Sequence, residues 1–198
     1  MSKRGYTKKI TNFNIINKMI RSLFILISLA ISTASFAQEA HSGEVIKEYG
    51  KIYEVSNPDF KTDTTAQFKV VFDVAKNFDN PSQPNKLIET AARFINMHRA
   101  AGIPAKNIQV ALVIHGGAYP EILKDEFYNE KFPEISVNPN AELISLLANQ
   151  GVQVILCGQT AAHRKITKSE VLPEVQIALS AMTALVQLQN KGYRLINF

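Results

Sequence analysis

The sequence predicts an α/β fold in which a mostly parallel β-sheet carries helices on both faces. Short runs of β-branched and aliphatic residues alternate along the chain with amphipathic segments of helical periodicity. One of these runs, residues 151–157, is almost wholly apolar, which is typical of a central strand buried on both faces. Strands that alternate with helices are joined by right-handed crossovers, so neighbouring strands run parallel.

The first 37 residues predict a secretory signal peptide with an extended N-terminus. A basic segment is followed by an apolar run over residues 23–31. Ser35 and Ala37 then place small side chains at a cleavage site before Gln38. The apolar run is short for a span of the bilayer, and an uncleaved anchor is the alternative. Met19 is a second candidate for the start of translation.

The charge of the chain argues against a nucleic-acid-binding protein once the signal peptide is removed. Six of the 22 Lys and Arg residues precede the cleavage site, and none of the 17 Asp and Glu residues does. The mature chain therefore holds 16 basic and 17 acidic residues, a formal net charge of −1. Nucleic-acid-binding surfaces need clustered basic residues to neutralise phosphates. We expect no nucleic-acid partner and, after cleavage, no membrane contact.

The mature chain divides into an irregular N-terminal arm, residues 38–65, and one α/β domain, residues 66–198. Short strands could form in the arm at residues 45–46 and 52–55. We expect the arm to lie on the domain or on a neighbouring subunit, with a partly disordered linker as the alternative. The domain is long enough to bury a core of its own.

The domain opens with a predicted strand over residues 67–74. Apolar residues recur at helical spacing over residues 85–101, which predicts an amphipathic helix. A second strand is predicted over residues 108–114, and it runs directly into His115.

The middle of the domain is expected to hold two helices and a third strand. Residues 122–128 lie in a mixed charged and aromatic segment and are expected to be helical. Asn138 is a suitable N-cap for a helix over residues 140–149. Residues 151–157 form the apolar strand described above, which ends on Cys157.

The last helix is predicted to begin at a capping box formed by Thr167 and Glu170. Lys191 and Gly192 end it, and residues 193–198 predict a final strand. One apolar face of this helix would carry Val175, Ala178, Leu179, Met182, Leu185 and Val186.

Several common functional motifs are missing from the sequence. It contains no P-loop, no dinucleotide-binding glycine pattern, no H-E-x-x-H and no C-x-x-C. We therefore expect no cofactor. His115-Gly116-Gly117 after a strand is similar to the oxyanion loop of esterases, but the G-x-S-x-G serine that those enzymes need is missing. A tight turn is the simpler explanation of the two glycines.

Cys157 is the only cysteine, so the chain can form no intramolecular disulfide. Both it and His115 end a predicted parallel strand, and ligands bind beyond the carboxyl ends of such strands. A histidine or a helix N-terminus nearby would stabilise the thiolate. The alternative is a cysteine that is merely packed in the core. Gln159 and His163 follow closely and could bind a group held there, or simply lie at the start of a solvated helix.

A metal site formed by His115, Cys157 and His163 is also conceivable, since zinc and copper accept these ligands. The three residues show no diagnostic spacing, so we expect no metal.

Three segments give the chain a family resemblance: residues 113–116, residues 151–160 and residues 180–193. With them, the chain from about Phe68 to Phe198 resembles the DsrE/DsrF-like family, and in particular its exported single-domain members. The resemblance implies a three-layer α/β/α fold, layered as in flavodoxin, with a mostly parallel sheet of about five strands. It also implies a homo-oligomer, often a trimer or a hexamer.

In the sulfur-relay relatives of this family, a cysteine at a strand end accepts sulfur as a persulfide and passes it on. Cys157 is similar in position to that cysteine, and His115, Gly116, Gly117, Gln159 and His163 are the expected binding residues around it. The relatives are cytoplasmic and work in complexes, whereas this chain has an export signal. The resemblance implies a periplasmic sulfur carrier or transferase, with a sulfur donor or acceptor protein as partner. A non-enzymatic ligand-binding or assembly module with a structural cysteine is the alternative.

Overall fold

The structure is a computed structural model that describes residues 39–78 and 80–197. One compact unit spans Ala40–Phe198. The predicted signal peptide, residues 1–37, lies outside the described residues. Within the described ranges, no helix has the length and apolar character needed to cross a membrane.

A five-stranded parallel sheet forms the centre of the domain, in agreement with the mostly parallel sheet of about five strands that the family resemblance implies. Its strands stand in the order β4-β3-β2-β1-β5, and every neighbouring pair is parallel. The α/β fold class is thereby confirmed. The strands are β1 (Phe68–Val74), β2 (Ile108–Ile114), β3 (Gln153–Cys157), β4 (Val175–Ala178) and β5 (Arg194–Ile196).

The helices divide unequally between the two faces of the sheet. Side chains of α1, α3 and α4 share a core with one face, where Phe72 and Leu112 are buried. On the other face, α5 packs against Val71, Val113 and Ile155. The helices are α1 (Lys86–Ala100), α2 (Asp125–Lys131), α3 (Ala141–Asn149), α4 (Gly158–Arg164) and α5 (Ala181–Asn190), with 3-10 turns at Ala105–Asn107 and Gly116–Ile122.

Two helix starts differ slightly from the prediction. The segment expected to be helical over residues 122–128 is a 3-10 helix up to Ile122, followed by α2 from Asp125. Asn138 is not the N-cap of α3, because the cap is Asn140 and the helix begins at Ala141. The side chain of Asn138 instead accepts a hydrogen bond from the backbone N–H of Asn140.

The prediction of a long last helix from Thr167 is wrong in its first half, because Val175–Ala178 form strand β4. Pro173 has no N–H to donate and disfavours a helix through this segment. The buried side chain of Val175 and the parallel pairing with β3 favour a strand instead. The apolar residues predicted to share one helical face therefore belong to two elements, β4 and α5, and the segment between them.

One half of the capping box does form, because the carboxylate of Glu170 accepts from the backbone N–H of Thr167 and also, over 2.6 Å, from its hydroxyl. It closes a turn rather than starting a helix. The helix begins only at α5, where the hydroxyl of Ser180 accepts a hydrogen bond from the backbone N–H of Thr183. A correct local motif thus led to a wrong element boundary.

The N-terminal arm packs on α1 through the buried side chain of Asn96. Its amide oxygen accepts from the backbone N–H of Ile46, and its amide nitrogen donates to the carbonyls of Ile46, Tyr49 and Gly50. Gly50 has a φ of +67°, and a Cβ there would lie 2.3 Å from the backbone nitrogen of Arg93. In place of the two short strands considered for the arm, a single antiparallel bridge joins His41 and Ile52.

Replacing Asn96 should therefore release the arm. We expect Asn96→Ala to lower the free energy of unfolding by about 2–4 kcal/mol, because it leaves buried backbone groups without partners. The exposed Asn149 at the end of α3 provides the control, and Asn149→Ala should change stability by less than about 0.5 kcal/mol. Denaturant unfolding of both variants measures the difference. Equal losses would contradict this role for Asn96.

Candidate functional site

Cys157 is the last residue of β3 and immediately precedes α4. It is a free cysteine with 6% of its surface exposed. The residues before it, Val154 to Leu156, are buried in the sheet, so the strand fixes the place of the sulfur. The structure thus places Cys157 at the carboxyl end of a central strand, which is the position that the sequence suggests.

Hydrogen bonds from two different elements converge on the Cys157 sulfur. Burial raises the pKa of the Cys157 thiol, but hydrogen bonds from the Thr160 backbone and hydroxyl and from the backbone N–H groups of Ala181 and Gln159 outweigh it. The net result is a pKa below the ordinary value for cysteine. Ala181 is the first residue of α5, so the first turns of both α4 and α5 donate to the sulfur. This arrangement favours the thiolate, which is the nucleophilic form of cysteine.

Gly158 allows the segment that leads from β4 into α5 to approach the start of α4. A Cβ at this position would lie only 2.3 Å from the carbonyl oxygen of Ala178 and 3.1 Å from that of Leu179. Only glycine therefore permits the end of β4 to approach the start of α4. The approach in turn brings the start of α5, with the N–H of Ala181, to the sulfur.

His115 follows β2, and its imidazole pairs with Asp73 of β1. Its Nε2 lies 2.7 Å from Oδ1 of Asp73, and both side chains are partly exposed. The backbone N–H of His115 donates to the carbonyl of Val74, which extends the pairing of the two strands. Sequence reasoning missed Asp73, although one signal was visible. It is the only charged residue in the apolar run of residues 70–74.

The two glycines after His115 form a tight turn whose amides are already used within the chain. Gly116 has a φ of +56°, and its N–H donates to the hydroxyl oxygen of Thr160 over 3.2 Å. The N–H of Gly117 donates to the carbonyl of Ala75 over 2.9 Å. The Thr160 hydroxyl thus joins the loop after β2 to the Cys157 sulfur. This bridging role of Thr160 was also missed, since nothing in the sequence indicates it.

The other two predicted binding residues lie on α4 and are exposed. The Gln159 side chain donates to the carbonyl of Leu179 over 3.3 Å, which ties α4 to the segment before α5. His163 lies in the last turn of this helix. Among the residues that the structure describes, no three His, Cys, Asp or Glu side chains are grouped to hold a metal ion. His115, Cys157 and His163 therefore form no such group.

A buried polar network fixes the 3-10 helix that follows His115. The carboxylate of Glu121 accepts hydrogen bonds from the side-chain amides of Asn85, over 3.2 Å, and Asn140, over 2.6 Å. Burial raises the pKa of Glu121, although these two hydrogen bonds act in the opposite direction. Asn85 also caps α1. The network therefore ties the loop beside the site to α1 and α3.

Comparison with known proteins adds a family and a fold. A model of the DsrE/DsrF-like family matches residues 69–198. MTH1491, a protein of unknown function from Methanobacterium thermoautotrophicum, is 18% identical, with a TM-score of 0.51 over 67% of this chain and 100% of that one. The ychN protein from E. coli is also 18% identical, with a TM-score of 0.48 over the same shares. No curated protein matches the sequence.

Removing the Thr160 hydroxyl should raise the pKa of the Cys157 thiol. We expect Thr160→Val, which keeps the side-chain shape, to shift the midpoint of the pH-dependent alkylation rate of Cys157 to higher pH. Thr160→Ser keeps the hydroxyl and should retain a midpoint near that of the wild type. A midpoint that is the same in Thr160→Val and Thr160→Ser would show that the hydroxyl does not stabilise the thiolate.

Proposed function

This chain belongs to the DsrE/DsrF-like family, and we propose that it is a periplasmic member that carries a sulfane sulfur as a persulfide on Cys157. The observation that carries the proposal is the convergence of hydrogen-bond donors from the starts of α4 and α5 on this one sulfur. A carrier of this kind takes sulfur from a donor and gives it to an acceptor protein. Its expected place outside the cytoplasm follows from the predicted signal peptide.

The chemistry of the site suits this role. A thiolate attacks the outer sulfur of a persulfide or polysulfide, and the resulting cysteine persulfide is itself an anion near neutral pH. The donors that stabilise the thiolate would also stabilise that anion. Because the chain holds only one cysteine, no second thiol in it can convert the persulfide into an intramolecular disulfide.

Residues at the end of β2 and on α4 are the candidates for contact with a sulfur donor or acceptor. His115 and the turn at Gly116 lie at the end of the next strand, and Gln159 ties α4 to the segment after β4. These contacts support the proposal that His115 and Gln159 line the place where the donor or acceptor approaches. The rival function, a ligand-binding or assembly module in which Cys157 is only packed, is favoured by the low exposure of the sulfur-bearing residue.

Intact mass spectrometry after treatment with inorganic polysulfide separates the two functions. We expect the wild-type protein to gain the mass of one sulfur atom, and Cys157→Ser to gain none, because the thiolate is the attacking group. Treatment with a reductant should remove the added sulfur. A folded wild-type protein that stays unmodified and also resists alkylation would support the packed cysteine and end the carrier proposal.

We also propose that the protein is a homo-oligomer whose copies meet at α5. This helix holds no charged residue, and Met182 and Val186 on it are largely exposed, as is Leu179 just before it. Parallel sheets are normally covered on both faces, yet α5 is the only described helix that packs on its face. A cavity of about 210 Å³ beside it, partly lined by Ile155 and Ile177, stays open.

A charge on this face should dissociate the oligomer. We expect Met182→Glu to give a protein of monomer mass in size-exclusion chromatography with light scattering, because it would bury a carboxylate in an apolar interface. Met97→Glu on α1 makes the same substitution at another exposed methionine, and it should keep the wild-type mass. Dissociation by Met97→Glu alone would place the interface on α1, and a monomeric wild type would overturn the proposal.

A further inference from the structure

Three chemically active side chains stand on the same face of the sheet, at the carboxyl ends of three adjacent strands. Val71, Val113 and Ile155 share the core beneath α5, so they mark that face on β1, β2 and β3. Side chains on a strand alternate between faces, so the residue two positions further on each strand points to the same side. Those residues are Asp73, His115 and Cys157.

The strand register brings His115 and Cys157 to the same level. Ile114 of β2 is paired with Leu156 of β3, and His115 and Cys157 are the residues that directly follow them. Neighbouring strands lie about 4.8 Å apart, so an imidazole and a thiol at this level are within reach directly or across one water molecule.

The contact with Asp73 decides which imidazole nitrogen can take a proton. An ionised carboxylate only accepts hydrogen bonds, so at 2.7 Å the Nε2 of His115 is the donor to Oδ1 of Asp73. In the neutral imidazole, Nδ1 is then the nitrogen with a free lone pair.

Asp73 of β1 pairs with His115, and Cys157 stands at the same level on β3, whereas α5, which packs over this face, contributes no charged side chain. Lys76, in the loop after β1, is exposed.

We propose that His115 is the proton acceptor for the Cys157 thiol and that Asp73 is the positioning residue that holds the imidazole with Nδ1 available. The assignment rests on the proposed carrier function and adds the path of the proton to it. The pairing of Asp73 with His115 is an observation separate from the presence of the cysteine.

The loading step balances with these groups. The thiol proton of Cys157 passes to Nδ1 of His115, and the thiolate attacks the outer sulfur of a donor persulfide, R–S–SH. The new Sγ–S bond forms as the donor's S–S bond breaks, and its electron pair leaves on R–S⁻. The imidazolium returns its proton to that thiolate, which gives R–SH and a persulfide on Cys157 without net oxidation.

The test measures the rate at which iodoacetamide alkylates Cys157 in the full protein as the pH is varied. We expect Asp73→Asn to slow the reaction at neutral pH roughly tenfold and to move its midpoint to higher pH, because the imidazolium loses its charged partner. His115→Gln should show a loss of similar size. The double variant should lose no more than His115→Gln alone, since the two residues act as a unit.

Asp59→Asn makes the same substitution at an exposed aspartate of the arm and should keep the wild-type profile. A wild-type profile in both Asp73→Asn and His115→Gln would overturn the proposal, as would losses that multiply in the double variant. His115→Gln keeps the test decisive if Asp73→Asn fails to fold.

Persulfide formation on wild type is scored separately. Its absence, together with an alkylation profile that depends on Asp73, would remove the carrier function and leave the proton path in place. Persulfide formation together with an unchanged alkylation profile in Asp73→Asn would support the carrier function and overturn the proton path.

Discussion

The hydrogen bonds to the Cys157 sulfur are the constraint on which the rest of the site depends. A buried anion is costly unless donors replace the water that it loses. Here the donors come from residues 159–160 and from Ala181, which are brought together because β4 pairs beside β3 and because Gly158 leaves room for the carbonyl of Ala178. A short edge strand and one glycine therefore decide the electrostatics of the sulfur.

The two faces of the sheet serve different purposes. One face is covered by α1 and α3, and its buried Glu121 network fixes the loop that follows His115. The other face carries the apolar core beneath α5 and ends in Asp73, His115 and Cys157. The reactive groups thus stand at the edge of a rigid sheet, which holds them in position better than a loop would.

Sequence periodicity was sufficient for the long elements but not for the short ones. The central strands and α1 show clear patterns, and the structure places them within a few residues of the prediction. Strand β4 has only four residues and follows a real capping-box contact, so local pattern favoured a helix. Cys157 and His115 could be predicted as site residues, because each follows or ends an apolar run. Asp73 could not, because it contacts His115 only through the parallel pairing of two strands, across 42 positions of sequence.

The structure favours the thiolate form of Cys157, and a direct titration tests this. The ultraviolet absorbance of the thiolate can be followed against pH, with Cys157→Ser providing the baseline. We expect a midpoint below the ordinary range of a cysteine thiol, since the donors from α4 and α5 outweigh the effect of burial. A midpoint at or above that range in the folded protein would contradict it.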